Sequence, residues 1–290
     1  MDYIKIYKDI ENLLSKKASK ANIHDLSKYY NPEGKLNNQS FYFRLASSLQ
    51  NGTSSGMDRS IKFNGENREE ILRVLHGCDY KAVLKEYKSD NDLYNALCEN
   101  ITDGGKEARE KRASKAKTEE KKEKINKRPT NWEKYAEGLY HGAQFLGEEN
   151  GNEIIETMIS YNDTDTLPMD TIKSMFNKIK EIKGLGPALI CDWLKECGCT
   201  WLCKPDVHIK RIYQAMLEAE TNTSVDYEKI KDFDVIEYYF NWVQKLRKSG
   251  IDTTVYKLDK MIWLICTGEF YLHKNESIGR NTLIERIKAD

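Results

Sequence analysis

The chain has 290 residues, 39 % hydrophobic and 10 % aromatic, enough to bury a sizeable core in one large domain or two small ones. Its 46 basic and 46 acidic residues cancel, which excludes a globally cationic coat but not a local basic face. No apolar run approaches the roughly 18 residues of a membrane span. Seven cysteines, an odd number, fit a reducing compartment better than a disulfide scaffold, so we expect a cytoplasmic protein without membrane contact.

Helical spacing dominates wherever a pattern can be read, and we predict an all-α protein. After an N-terminal helical portion, segment 31–38 contains Pro, Gly and Asn and predicts a loop. Further along, apolar residues recur at steps of three and four, which places them on single helix faces. These faces carry Trp132, Tyr135, Ala136, Leu139, Ala143 and Leu146; then Ile172, Met175, Phe176, Ile179 and Ile182; and finally Val255, Leu258, Ile262 and Ile265.

Segment 103–128 breaks this pattern because it is almost entirely charged. It has eleven Lys or Arg and six Asp or Glu. A solvated helix or mobile excursion would explain this composition. So would an arm whose lysines contact phosphates without reading sequence.

A helical hairpin is predicted between residues 171 and 196. Asp170 can cap a helix running to about Ile182, and Pro187 suits the first turn of the next helix. The turn between them reads Lys183-Gly184-Leu185-Gly186, and its glycines lack the Cβ atoms that would keep another backbone away. The turn amides and the following helix start are a natural seat for a phosphate. An ordinary helical hairpin explains this segment equally well.

A second element follows the hairpin. Asp206 lies twenty residues after Gly186, behind Pro205, and begins a helix carrying Ile209, Ile212 and Met216. Capping alone would explain an aspartate at this position. Together, however, the two elements, Ile182-Lys183-Gly184-Leu185-Gly186 and Pro205-Asp206-Val207-His208-Ile209-Lys210-Arg211, resemble the signature of the helix-hairpin-helix (HhH-GPD) DNA glycosylase superfamily. Its members include endonuclease III-like enzymes and the 8-oxoguanine and 3-methyladenine glycosylases.

The resemblance covers about residues 40–217, with 103–128 as an insertion. It implies a two-lobed helical fold with the active-site cleft between the lobes. Residues 1–34 together with 207–290 would form the terminal lobe. Residues 35–206 would form the other, with the wedge helix, the charged insertion and the hairpin 171–196.

The resemblance also implies an activity, base excision from double-stranded DNA. A damaged or modified base, preferably a purine lesion, would be flipped out and its N-glycosidic bond hydrolysed. Asp206 would stabilise the cationic sugar and orient or deprotonate the attacking water, and its helix-start position favours an ionised carboxylate. Bifunctional members carry a catalytic lysine where this chain has Ala188, so we predict a monofunctional enzyme that leaves an abasic site. Lys204 is an alternative amine, but a phosphate contact is its favoured role.

Other family positions map onto this chain as follows. The DNA-binding residues would be Lys183, Gly184, Leu185, Gly186, Ala188, Lys204 and Arg211, with His208 in a supporting role. The segment Phe41–Asn51 resembles the family's early apolar helix, whose end fills the hole left by the everted base. Gln50 or Asn51 would be that wedge, although a polar helix end before Gly52 explains them equally well.

No metal or iron–sulfur cluster is expected. Cys191, Cys197, Cys199 and Cys203 have neither a zinc spacing nor that of the family's cluster, which also follows the catalytic aspartate. The resemblance allows a structural monovalent cation at the hairpin, and we predict no obligate protein partner. Three alternatives stay open: a non-catalytic DNA-binding module, a helical interaction protein in which Asp206 only caps, and a glycosylase directed at modified bases in foreign (phage) DNA.

Overall fold

The structure is a computed structural model that describes residues 1–20, 22–30, 40–52, 61–101, 103–147, 150–267 and 279–289. Throughout these ranges the regular secondary structure is helical and contains no strand, which confirms the all-α prediction. None of the helices in the same ranges is both long and apolar enough to span a bilayer. The loop predicted at 31–38 lies outside the described residues.

The chain divides into two compact units. The terminal unit comprises Met1–Lys35, Met158–Pro168 and Leu194–Asp290, and the central unit comprises Leu36–Thr157 and Met169–Trp193. These boundaries differ from those of the predicted lobes, because 158–168 and 194–206 group with the chain termini.

Hydrogen bonds within the terminal unit explain that grouping. The indole Nε1 of Trp201 donates to the carbonyl of Met158 at 2.7 Å. Asn162 donates to the carbonyl of Gly198 at 2.9 Å and accepts from the backbone N–H of Thr200 at 2.7 Å. Each bond joins residues more than thirty positions apart, so the residue pattern within either short segment did not reveal it.

Among the described residues, five α-helices belong wholly to the terminal unit: α1 (Tyr3–Lys20), α12 (Val207–Thr221), α13 (Asp232–Lys248), α14 (Val255–Thr267) and α15 (Arg280–Lys288). Aromatic side chains fill its core. Tyr7, Tyr239, Trp242 and Tyr256 are all fully buried. The predicted face of Val255, Leu258, Ile262 and Ile265 is confirmed as the buried face of α14.

The remaining ten helices start in the central unit: α2 (Phe41–Leu49), α3 (Arg68–Val74), α4 (Tyr80–Glu86), α5 (Asp90–Asn100), α6 (Lys106–Ser114), α7 (Glu119–Asn126), α8 (Asn131–Gly147), α9 (Gly151–Ser160), α10 (Met169–Ile179) and α11 (Pro187–Glu196). Polar side chains cap several of them. Ser40 accepts from the N–H of Phe43, and Ser89 from that of Asp92. The charged segment 103–128 contains α6 and α7, and α7 has no buried side chain.

Helix α8 forms the centre of this unit. Its predicted apolar face is buried, and the hydroxyl of Tyr135 donates to the carbonyl of Ala46 at 3.1 Å. Two glycines bring neighbouring segments close to α8. A Cβ added at Gly142 would overlap with Cδ2 of Leu45, and one at Gly138 would lie 3.2 Å from the carbonyl oxygen of Lys183. Helix α2 and the hairpin turn therefore pack directly on the α8 backbone.

Candidate functional site

Asp206 caps helix α12, as the sequence predicted. Its Oδ1 accepts hydrogen bonds from the backbone N–H groups of His208 at 2.9 Å and Ile209 at 3.1 Å. Its own N–H donates to the carbonyl of Lys204 at 2.7 Å. The two amides of α12 therefore hold the side chain, and the bond to Lys204 holds the backbone of Asp206.

The surroundings of Asp206 disfavour its ionised form. Loss of hydration raises the pKa of this half-buried carboxyl, and the negative charge of Asp259 raises it further. The amide of Ile209, the positive charge of Lys204 and, when it is protonated, His208 work in the opposite direction. The helix start favours the carboxylate, as predicted, but the net effect of all these groups is to raise the pKa of Asp206. An ionised Asp206 is consequently a stronger base than an exposed aspartate.

Asp259 is the neighbour that the sequence analysis missed. It is 3 % exposed and lies in α14, where its Oδ1 accepts the backbone N–H of Lys204 at 2.9 Å. Its Oδ2 forms an ion pair with the ammonium group of Lys195, which is 2 % exposed. The sequence did hold a signal, since Asp259 lies four residues after Val255 and seven before Cys266 on an apolar helix face.

His208 and Arg280 are close enough for their charges to interact. Burial lowers the pKa of His208, the charge of Arg280 lowers it further, and the charge of Asp206 opposes both. Within the described part of the chain, the buried Nδ1 of His208 and Nε of Arg280 make no hydrogen bond. The sequence analysis assigned His208 a supporting role and did not single out Arg280, the first residue of α15.

Val207 adds an apolar surface to this site. It follows Asp206 directly and is 49 % exposed, whereas large apolar side chains are otherwise mostly buried in the described chain. The sequence analysis did not single it out. A half-buried carboxyl beside an exposed apolar side chain suits contact with a neutral sugar or base better than with a phosphate.

The predicted hairpin is present in the central unit, with a shorter first helix. Helix α10 ends at Ile179 rather than Ile182, and Asp170 lies in its first turn instead of capping it. Helix α11 begins at Pro187 as predicted. Residues 180–186 form the connecting turn, in which the N–H of Leu185 donates to the carbonyl of Ile182 at 3.2 Å.

The backbone of the turn is exposed at the residues where the sequence predicts a phosphate-binding site. Gly184 has φ +84°, a left-handed conformation that favours glycine. A Cβ at Gly186 would meet no atom within 4 Å, so space next to this residue is open. Leu185 is buried and anchors the turn, while Lys183, Gly184 and Gly186 are exposed. At the start of α11, Pro187 has no N–H, and the N–H groups of Leu189 and Ile190 donate to the carbonyl of Gly186 at 2.9 and 3.0 Å.

Lys183 also has an acidic neighbour. Its Nζ lies 3.2 Å from Oε1 of Glu137 in α8. Asp90, Glu137 and His141 bring one ligand atom each within 4.8 Å of one another, so these half-buried groups could hold a metal ion. The Lys183 ammonium group already supplies a positive charge to this cluster.

Ala188 is half-buried in the first turn of α11 and offers no amine.

One of the two predicted wedge residues contacts the helix that follows the hairpin turn. Helix α2 ends at Leu49, and Oε1 of Gln50 accepts the N–H of Asn64 at 3.3 Å. The exposed Asn51 donates from Nδ2 to Asp192 of α11 at 3.2 Å. Asn51 therefore lies beside α11, whereas Gln50 is held by Asn64.

Several other predicted residues have structural contacts. The guanidinium group of Arg211 lies 3.8 Å from the Tyr227 ring centroid and donates to Gln214 at 2.9 Å, so Arg211 helps to stabilise the fold.

The four cysteines singled out from the sequence are buried. Burial raises the pKa of the Cys199 thiol, and the charge of Cys197 adds to this, so Cys199 favours its protonated form.

The residues carried over from the family thus fall into two groups. Asp206, His208, Lys204 and Arg211 belong to the terminal unit, and the hairpin turn, Ala188 and the wedge candidates belong to the central unit. Compared with protein-family models, curated proteins and solved structures, the chain gives no match.

Proposed function

We propose that the protein is a monofunctional DNA glycosylase that hydrolyses the N-glycosidic bond of a flipped, damaged or modified base in double-stranded DNA. The observation that carries the proposal is the environment of Asp206. A carboxyl held by two helix amides, partly withdrawn from water and next to a second carboxylate has a raised pKa. Perturbed carboxyl groups of this kind are enriched at catalytic sites.

The chemistry needs only this carboxylate and a water molecule. As the bond between C1′ and the base breaks, the base leaves with the bonding electron pair and the sugar acquires positive charge. Asp206 stabilises that charge and accepts a proton from water while the water oxygen bonds to C1′. The proton on Asp206 then passes through water to the departing base, so Asp206 is ionised again and an abasic site remains in an intact strand.

The hairpin supports DNA as the ligand. Its turn has an exposed glycine backbone and two exposed lysines, Lys180 and Lys183, directly before the start of helix α11, which together suit a phosphate diester. A monovalent cation bound at the turn carbonyls would strengthen that contact. Gln50 or Asn51 would fill the space of the everted base. The resemblance to the helix-hairpin-helix superfamily favours damaged purines as the substrate class and a cytoplasmic, nucleoid-associated enzyme.

Ala188 is the basis for proposing hydrolysis without strand cleavage. A methyl side chain cannot form a Schiff base with the sugar. Lys204 is half-buried in the chain segment before Asp206, and its charge lowers the pKa of the Asp206 carboxyl. We assign Lys204 to charge balance and phosphate contact rather than to nucleophilic attack.

A base-release assay tests the proposal. The full chain is incubated with duplexes carrying alkylated purines, oxidised purines or modified bases typical of foreign DNA, and the products are analysed with and without hot alkali. Breaks that appear only after alkali support a monofunctional glycosylase. Breaks without alkali contradict the assignment of Ala188. The Asp206→Asn variant should release base about 10²–10⁴-fold more slowly, whereas Asp252→Asn, which changes an exposed aspartate in the same unit, should match the natural protein.

The same assay separates the enzyme from a DNA-binding module. The capping bonds of Asp206 would suit a module in which this residue is only structural. Such a module would bind duplex DNA and release no base from any substrate. A helical interaction protein would in addition show no salt-dependent DNA affinity.

A further inference from the structure

A buried ion pair contacts the chain segment that precedes Asp206. Asp259 and Lys195 are among the few charged residues of the described chain that are almost fully buried. Asp259 binds the Lys195 ammonium group through Oδ2 and the Lys204 N–H through Oδ1, the latter at 2.9 Å. The carbonyl of Lys204 then accepts the N–H of Asp206 at 2.7 Å. The buried Asp259 carboxylate therefore holds the backbone of Lys204, whose carbonyl in turn holds the N–H of Asp206.

Filling the core does not require the ion pair of Asp259 and Lys195. Two apolar side chains of similar size would fill the same space without the cost of removing two charges from water. A charged pair adds two properties that apolar residues lack. It satisfies the backbone N–H of Lys204, and it keeps a negative charge beside the Asp206 carboxyl.

We propose that Asp259 is a positioning residue for Asp206, holding the Lys204–Asp206 turn and placing a second negative charge next to the reacting carboxylate. The effect of Asp259 on the pKa and position of Asp206 does not depend on which reaction the protein catalyses. The effect of Asp259 on base release rests on the proposed glycosylase function. Because the neighbouring charge opposes ionisation, Asp206 holds a proton more tightly and, once ionised, accepts one more readily from water.

Several other groups also face Asp206. They are Lys204 in the preceding segment, His208 in α12, Tyr239 in α13 and Cys266 in α14, with Arg280 of α15 next to His208 and Cys266. Burial raises the pKa of Cys266 to about 12 and that of Tyr239 well above its usual value, so both stay uncharged near neutral pH. Lys204 and His208 favour the carboxylate. Asp259 is therefore the charged group that opposes them.

Carboxyl ¹³C NMR titration of the full chain tests the proposal without any substrate. The Asp206 signal is assigned by its loss in Asp206→Asn. In Asp259→Asn the Asp206 pKa should fall, because the adjacent negative charge is gone. In Asp252→Asn, the matched exposed control, it should stay as in the natural protein. An unchanged or higher Asp206 pKa in Asp259→Asn overturns the proposal.

A second variant guards against loss of folding. Asp259→Asn alone leaves Lys195 buried without its partner, whereas Lys195→Gln combined with Asp259→Asn removes both charges and keeps groups that can hydrogen-bond. This double variant should show a smaller fall in the Asp206 pKa than Asp259→Asn, because the positive charge of Lys195 is removed as well, and a missing fall in a folded double variant also overturns the proposal.

The pH profile of base release separates this proposal from the proposed function. In both Asp259 variants the acidic limb of the single-turnover rate should move to lower pH, following the NMR titration. If the natural protein releases no base, the glycosylase function fails while the titration still decides the role of Asp259. If base release is lost but the Asp206 titration is unchanged, the role of Asp259 is only structural and the positioning proposal fails.

Discussion

The ammonium group of Lys183 lies 3.2 Å from the carboxylate of Glu137, which joins the exposed hairpin turn to helix α8. The Lys183 side chain is 59 % exposed, so the pair is solvated and contributes little to folding. A phosphate bound at the turn would compete with Glu137 for the same ammonium group. If the turn binds DNA as proposed, the pair limits the attraction that this lysine can contribute.

Substitutions of the two partners should change DNA affinity in opposite directions. Glu137→Gln should bind duplex DNA about two- to fivefold more tightly, because an ion pair of up to about 1 kcal/mol no longer competes. Lys183→Met should bind more weakly and reduce the slope of log K against log salt by about one. Fluorescence anisotropy at several salt concentrations measures both. Lys248→Met, another exposed lysine, is the control, and an unchanged slope in Lys183→Met would remove this lysine from the interface.

The two glycines of the turn should respond differently to alanine. Gly184→Ala should lower the free energy of unfolding by about 1–2 kcal/mol, because φ +84° is strained for a residue with a Cβ. Gly186→Ala should change it by less than about 0.5 kcal/mol, since its Cβ would enter open space. Urea denaturation measures both values.

DNA binding by Gly186→Ala then tests the close approach of a phosphate. A methyl group in the open space should weaken binding although the protein remains as stable as before. Equal affinity in Gly186→Ala and the natural protein would mean that no backbone comes close to this glycine.

Local signals made much of the fold predictable, and long-range contacts account for what the sequence did not reveal. Pro187 and Asp206 mark helix starts through their own backbone preferences, so α11 and α12 begin where the sequence indicated. The pair of Asp259 and Lys195 joins residues 64 positions apart, and no local pattern connects them. The residues around Asp206 in the sequence likewise predict its hydrogen bonds to the amides of α12. They do not predict the negative charge of Asp259, which comes from α14 and raises the pKa of Asp206.

Asp206→Asn should lose base release yet gain stability at neutral pH. Asparagine caps a helix about as well as aspartate, so the amides of α12 keep an acceptor. Removing the carboxylate should slow single-turnover base release by about 10²–10⁴-fold. The folded state holds the Asp206 proton more tightly than the unfolded state, so the natural protein loses stability as pH rises through the folded pKa.

The sign of the stability effect follows from that linkage. An asparagine side chain has no proton to lose, so the Asp206→Asn variant should be more stable than the natural protein above the folded pKa of Asp206. The difference should shrink as pH falls below the ordinary aspartate value, where the natural side chain is protonated in both states. Thermal unfolding between acidic and neutral pH measures this. A variant that is less stable at neutral pH would show that ionised Asp206 mainly serves the fold.

The packing of α2 on α8 gives a prediction in which two effects have opposite signs. Helix propensity alone says that Gly142→Ala should stabilise the protein by up to about 1 kcal/mol. The added Cβ, however, would overlap with Cδ2 of Leu45, so one of the helices must shift. Because overpacking a core costs about 1–3 kcal/mol, we expect a net loss of stability in urea denaturation.

A double-mutant cycle identifies the contact responsible. Leu45→Val removes the leucine carbon nearest to the new Cβ, so the Gly142→Ala change should be less harmful in the Leu45→Val background than in the natural protein. The wedge candidates Gln50 and Asn51 follow directly after α2, so a shift of this helix should also weaken DNA binding in Gly142→Ala and recover partly in the double variant. Additive effects on stability would contradict the contact between Leu45 and Gly142. Unchanged DNA affinity in a destabilised Gly142→Ala would separate the end of α2 from the DNA interface.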